Sequence, residues 1–276
     1  SEMCIRDRPC GPTSGYLTME SKTYCGSSSR TPLVRLDFSP DTRIWILYFL
    51  GQHTHDNRLT HEFIRDGLVA ALRDVRKTWD SWVEQDEAEG GAALVTTALP
   101  ESKIYSNGLD LFSALSDPLF FNDYLNVLFR ELLTFPIPTI AAIGGHAFAG
   151  GCTVAFSHDY RVQNAHRGYI CMNEIEFGAP IPQGMMGAIR SVVASPLTLR
   201  KLVLEGHRFS AQEAKEHGLV DMLAEGGAAG TIQTAVELAK KLRSRCARNA
   251  WQVNKEIIYE NVLRSMYEPQ RSKLHL

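Results

Sequence analysis

The sequence predicts an α/β domain closed by a helical extension. Three observations point there. Apolar runs of strand length alternate with segments of helical spacing over the first two-thirds of the chain. Residues 184–263 are mostly helical in their spacing. Two of the buried runs lead into glycine-bearing turns that open helices, the crossover of a sheet covered by helices.

Residues 1–30 stand apart. They are rich in Ser, Gly, Arg and Cys and lack a periodic apolar pattern. No apolar h-region marks a secretory signal. Glu2, Asp7 and Glu20 weigh against a mitochondrial presequence, and the opening SEMCIRDR looks non-native. Disorder is the expectation for this segment. Regular patterning begins at Thr31. Residues 33–38 alternate as a strand, and 43–50 form a second one rich in aromatic and branched residues. Pro40 and Asp41 place a turn between them, which predicts a hairpin. Leu59, Phe63, Leu68, Ala71, Leu72 and Val75 recur at helical spacing and predict a helix over 60–79. Residues 84–91 are acidic and glycine-bearing, hence a loop. Residues 92–98 carry nothing polar before Thr96, which suits a strand buried on both faces. A helix over 119–135 stops at Pro136 and Pro138. A buried strand at 139–143, a helix at 150–157 and short strands at 160–163 and 169–172 follow. Helices at 184–191, 196–205, 210–217, 228–244 and 249–263 complete the chain. Residues 206–218 keep their apolar spacing, so no linker separates a core over 31–205 from a helical region over 206–276.

Bulk properties narrow the function. A chain of 276 residues, 44% hydrophobic and 22% charged, can bury a sizeable core. Net charge is −2, so there is no broad electrostatic footprint for nucleic acid or an anionic membrane. No apolar run approaches the roughly 20 residues of a membrane-spanning helix. The six cysteines, Cys4, Cys10, Cys25, Cys152, Cys171 and Cys246, form no CxxC pair and no metal-ligand spacing. Free thiols in a reducing compartment are expected.

Chemistry concentrates at two turns. Gly144–Gly145–His146–Ala147–Phe148–Ala149–Gly150–Gly151 follows one buried strand and opens a helix. Its small residues let a ligand touch backbone, and the helix start supplies unpaired N–H groups. Alone, the segment is equally well a tight crossover that needs glycine for packing. Lys103–Ile104–Tyr105–Ser106–Asn107–Gly108–Leu109–Asp110–Leu111 repeats the design after the strand at 92–98, with Asp110 placed to cap the next helix. Two such turns can aim amides at one point, as stabilisation of a developing oxyanion requires.

At these residues the chain resembles the crotonase, or enoyl-CoA hydratase/isomerase, superfamily. The resemblance runs over about residues 33–262. The block at 103–111 resembles the family's (F/Y)-S-x-G-x-D-L motif and the block at 144–151 its G-x-x-x-(G/A)-G-G turn. HDYRV at 158–162 and an E-x-x-x-G block at 174–178 add to it. The resemblance implies a crotonase (ClpP-like) ββα-spiral core with a C-terminal helical region used in trimer assembly, as a homotrimer or a dimer of trimers. It implies an acyl-CoA thioester as substrate, with coenzyme A part of that substrate and no further cofactor or metal. The thioester oxygen would be held by the N–H groups of Leu109 and Gly150. Ser106, Asn107, Gly108, Asp110, Gly151, Leu111 and Phe112 would surround the substrate. Lys255, on the last helix, would lie near the CoA 3′-phosphate, or else be an exposed helix lysine.

Family hydratases carry two glutamates. One lies three residues after the glycine turn, and here that position is Thr153. The other matches Glu174, with Glu176 its nearest rival. Hydration of a C2=C3 double bond needs water activation and proton delivery, which two carboxylates share. Moving a double bond from C3=C4 to C2=C3 needs one base that takes a proton from C2 and returns one at C4. Threonine cannot titrate here, and its hydroxyl suits a bond to a helix carbonyl one turn back. The pattern therefore resembles the Δ3,Δ2-enoyl-CoA isomerase branch, peroxisomal fungal and plant-type members in particular. A hydratase or other crotonase-type lyase, and a crotonase-fold protein that binds without catalysis, are the alternatives. Asn173 either orients the carboxylate or caps a turn. His146 and Cys152 read as structural, and no Ser-His-Asp order accompanies His146 and His158. Leu115, Phe120 and Phe121 line either an acyl tunnel or the helix core. Ser272–Lys273–Leu274 spells a peroxisomal address with two residues after it, so the expected location is the peroxisome, with the mitochondrion the alternative.

Overall fold

A computed structural model describes residues 19–248 and 250–266. The main sheet has seven strands in the order β1-β2-β3-β4-β6-β8-β10, and a second, three-stranded sheet runs β5-β7-β9. β1 (Glu20–Cys25), β2 (Pro32–Ser39) and β3 (Ile44–Phe49) pair antiparallel, with β2 and β3 the expected hairpin. A π-helical stretch, Phe63–Val69, runs straight into α1 (Ala70–Glu84). β4 (Ala93–Ala98) then pairs parallel to β3 and is buried at every residue.

From β4 the chain winds three times through the same course. β4 leads to β5 (Ile104–Ser106) and the helix α2 (Leu111–Ser116). A second π-helical stretch, Phe120–Leu125, and α3 (Asn126–Leu133) carry the chain back. β6 (Thr139–Ile143) leads to β7 (His146–Phe148) and α4 (Gly150–Phe156). β8 (Tyr160–Asn164) leads to β9 (Ile170–Cys171) and a 3₁₀ turn, Glu174–Phe177. β4, β6 and β8 are parallel neighbours in one sheet, and β5, β7 and β9 are parallel neighbours in the other. Equivalent points of successive turns therefore lie side by side.

Alternation along the strands splits the core. Leu94, Ala141 and Ile143 face one large cluster with Phe63, Trp79, Phe129 and Phe156. Ala93, Val95, Ile140, Ala142 and Val162 face a smaller one closed by Ala235 and Ala239. Those two alanines belong to α8 (Gly227–Leu242), which lies across the sheet after α5 (Gln183–Val192), α6 (Pro196–Val203) and α7 (Ala211–Glu216). α9 (Ala250–Ile258) and α10 (Glu260–Ser265) split the single helix expected over 249–263.

The structure corrects the sequence reading at both ends of the sheet. Part of the segment expected to be disordered, 1–30, forms β1, an edge strand whose first four residues are exposed. A half-solvated edge strand needs few apolar residues, which is why composition hid it. Glu62 holds the following turn by accepting the N–H groups of Ser28 and Ser29 at 2.8 and 3.1 Å. At the other edge, β10 (Met222–Ala224) pairs parallel to β8. The region expected to be helical from 206 thus contributes a strand to the core.

Lys255 is corrected as well. It is neither an exposed lysine nor free to meet a phosphate. Its Nζ lies 2.8 Å from Asp159 Oδ1 and donates to the Leu132 carbonyl at 2.9 Å, and it is 4% exposed. Asp159 Oδ2 also accepts the Thr139 N–H at 2.8 Å and its hydroxyl at 2.9 Å. This pair fixes α9 to the start of β6. Lys255→Met should leave Asp159 buried and uncompensated, at a cost of about 3–5 kcal/mol in urea unfolding. The KM for a CoA ester should stay unchanged in the same variant.

Candidate active site

Ser106, Ala147 and Ile170 lie level with one another across the small sheet. The residues just beyond them emerge together from the ends of β5, β7 and β9. They are Asn107–Leu109, Ala149–Gly150 and Asn173–Glu174. Topology alone thus gathers the two glycine turns and the glutamate at one place.

The first turn is held from below by residues 56–59. The Asn107 N–H donates to the Asp56 carbonyl at 3.0 Å, and the Gly108 N–H to Ser106 Oγ at 3.3 Å. The Leu59 N–H donates to the Gly108 carbonyl at 2.8 Å. The Leu109 N–H has no protein acceptor among the described residues. Because the peptide unit is planar and trans, fixing the Gly108 carbonyl toward Leu59 sends the Leu109 N–H the opposite way. Gly108 has φ +80°, and a Cβ there would sit 2.8 Å from both the Gly150 nitrogen and the Ala149 Cβ. The two turns touch because residue 108 has no side chain.

The second turn depends on an unusual backbone. Ala149 has φ +51° and ψ −126°, a conformation an L-residue rarely takes. Its N–H donates to the Cys171 carbonyl at 2.9 Å, which ties the turn to β9. Gly150 then starts α4 with an N–H that has no acceptor in its own helix. Strain of this kind gathers at functional sites. Gly151 serves the close packing: a Cβ there would meet the Ser106 carbonyl oxygen at 2.2 Å.

Glu174 caps the arrangement. It opens the 3₁₀ turn, which ends at Gly178 with φ +74°. It is 6% exposed, and its Oε2 is buried with no protein partner. Burial pushes its carboxyl up to about 7 from the ordinary 4.5. A cavity of about 290 Å³ opens in front of it, bordered by Leu109, Ala149, Asn107, Leu111 and Phe177. Among the described lining residues, Glu174 is the one carboxylate. Glu176 is half-exposed, faces Arg208 at 3.5 Å and is not part of that lining.

The other residues singled out in the sequence divide. Leu111 and Asn107 line the cavity, whereas Phe112 is 86% exposed and lies outside the lining. Placing Phe112 in the acyl pocket is therefore corrected: on α2 it occupies the solvent side. Phe120 and Phe121 are core. Asp110 stands at the helix start but its side chain makes no cap bond. The buried Ser106 hydroxyl donates to the Asn57 carbonyl at 2.8 Å and organises the turn. Thr153 Oγ1 donates to the Gly150 carbonyl at 2.8 Å. Cys152 is buried, which pushes its thiol up and makes it inert. His146 Nδ1 accepts the Tyr169 N–H at 3.2 Å. His158 is buried between Thr96 and the Val154 carbonyl, and burial lowers it to about 4. Neither histidine is in the cavity lining.

Arg58 and Phe177 line the cavity without having been singled out in the sequence, and Ala149 reads there only as a small residue of the turn. The positive φ of Ala149 shapes the cavity. The Asp56–Asn57–Arg58 tripeptide is a turn signal that was legible, but nothing local showed which turn it served. No group of three or more His, Cys, Asp or Glu among the described residues could hold a metal ion. No described helix is long and apolar enough to cross a membrane.

A ββα spiral of this kind, whose successive turns pair in parallel in each sheet, is a crotonase-type fold. Residues 51–272 match the family model for enoyl-CoA hydratase/isomerase, and the chain belongs to that family. It is 32% identical over 206 residues to the peroxisomal enoyl-CoA delta isomerase 1 of Arabidopsis thaliana, covering 74% of this chain and 80% of that one. It is 30% identical over 189 residues to the mitochondrial enoyl-CoA hydratase of Pongo abelii, covering 67% of this chain and 59% of that one. Human mitochondrial delta3-delta2-enoyl-CoA isomerase superposes with a TM-score of 0.68 at 22% identity, covering 84% of each chain. That likeness bears on the fold alone.

Proposed function

We propose that this protein is a Δ3,Δ2-enoyl-CoA isomerase. The observation that carries the reading is the single carboxylate of the cavity. The acid that a two-carboxylate hydratase needs is replaced by Thr153, whose hydroxyl is spent on the Gly150 carbonyl. Thioester carbonyl oxygen accepts the N–H groups of Leu109 and Gly150. Ionised Glu174 removes a proton from C2. The two amides hold the dienolate oxygen, and protonated Glu174 returns a proton to C4. The plant relative's name fits this activity. No cofactor is needed beyond the CoA of the substrate. A pKa near 7 suits a group that must both take and give a proton. The plant relative is named as peroxisomal, which supports the same location here. Exposed Val253, Ile257 and Ile258 on α9 suit burial in a homotrimer.

Matched 3-enoyl-CoA and 2-enoyl-CoA esters test the activity. The expected result is conversion of the first to the second with little hydration of either. Hydration outrunning isomerisation would overturn it. Because the base must be ionised, kcat/KM should rise with pH and level off above about 7. A pH profile flat from 5 to 9, on the scale of about a pH unit at each end, would contradict Glu174 as the base.

A further inference from the structure

Three peptide units around Leu109 are anchored to one short segment, residues 56–59. The Asp56 carbonyl takes the Asn107 N–H at 3.0 Å, and the Leu59 N–H holds the Gly108 carbonyl at 2.8 Å. Arg58 Nη1 donates to the Leu109 carbonyl at 3.0 Å. One atom joins these contacts. Asp56 Oδ2 accepts Arg58 Nε at 3.0 Å and Asn107 Nδ2 at 2.9 Å. The carboxylate thus grips the turn on both sides of the free Leu109 amide.

The segment is itself built rather than loose. Asn57 is fully buried with φ +50°, in the left-handed region, and its Nδ2 donates to the Ile104 carbonyl at 3.2 Å. The Arg58 N–H donates to Thr54 Oγ1 at 2.7 Å. The guanidinium donates to Asp56 and to the Leu109 carbonyl, and its ion pair is with Asp56.

We propose that Asp56 is a positioning residue, acting through Arg58 and Asn107 to set where the Leu109 N–H points. The proposal rests on the reading of that amide as an oxyanion donor. The catalytic contribution of such a donor depends on sub-ångström placement, and about 1 Å of error can cost about 10²-fold in rate. Removing the grip should therefore act on the transition state more than on substrate binding.

The test compares wild type with Asp56→Ala and the isosteric Asp56→Asn. Asp56→Ala should lower kcat by about 10–100-fold with a nearly unchanged KM. Asp56→Asn keeps one acceptor and should fall between. The pH midpoint set by Glu174 should not move. A second measurement needs no turnover: a 3-ketoacyl-CoA ester is acidic at C2, and its enolate, which an oxyanion hole would favour, absorbs in the near ultraviolet. The bound enolate fraction should fall in the same order as kcat. An unchanged kcat, a loss confined to KM, or a fallen kcat with an intact enolate fraction would each overturn the positioning role. Wild type inert toward every enoyl-CoA ester would defeat the isomerase reading instead. The enolate comparison would then still decide the Asp56 grip.

Discussion

Glu174→Gln is expected to lower isomerisation by about 10³-fold, within the range that general acid–base catalysis contributes. The amide keeps the shape of the side chain and removes the one group lining the cavity that can exchange protons with C2 and C4. CoA-ester binding should persist, because the amides of Leu109 and Gly150 are untouched. The same variant carries a second expectation of fixed sign. In the folded protein the Glu174 carboxyl titrates at about 7, against an ordinary 4.5. Between those values the folded state holds the proton more tightly, so stability falls as pH rises through that window. The loss is on the order of 3 kcal/mol. Glutamine carries no such penalty. The variant should therefore melt above wild type at pH values past about 7, and match it more closely under acid. Loss of activity together with a lower melting temperature at high pH would indicate damage to the fold rather than loss of the base.

Gly108→Ala is the second large effect. Its new methyl would lie 2.8 Å from the Gly150 nitrogen and the Ala149 Cβ, and residue 108 would hold φ +80° against the preference of an L-residue. The backbone cost is about 1–2 kcal/mol of stability. The greater cost is catalytic. With the two amides holding the thioester oxygen as proposed, separating the turns would move one or both off it, and losing one such donor costs about 10²–10³-fold in kcat. Steady-state kinetics beside chemical denaturation separate the two. A variant that loses stability but keeps kcat would show that the turns need not touch.

Much of this site was legible in the sequence because its parts are local. A strand followed by small residues and a helix start is readable at 103–111 and again at 144–151. The four-residue step from Glu174 to Gly178 distinguished it from Glu176. Bringing the three turns together is not local. It follows from the pairing of β5 with β7 and β7 with β9, strands of two or three residues too short to carry a periodic signal. β10 was hidden for the same reason, and β1 because an exposed edge strand has a polar composition. Lys255 shows the converse failure. A lysine on a C-terminal helix reads as a surface charge, and only the tertiary arrangement reveals Asp159 beneath it. Phe112 reads as pocket by proximity to Leu109, yet one residue along α2 from Leu111 it faces solvent. Arg58 lies 51 residues from the carbonyl it holds, and no spacing rule connects them.

The most direct measurement is a crystal structure with a bound 2-enoyl-CoA ester. The thioester oxygen should lie within hydrogen-bond distance of both the Leu109 and Gly150 nitrogens. The Glu174 carboxylate should reach C2 and C4 from one side, with no other carboxylate near C3. A thioester held elsewhere, or a second carboxylate over C3 with a water between, would contradict a single-glutamate isomerase.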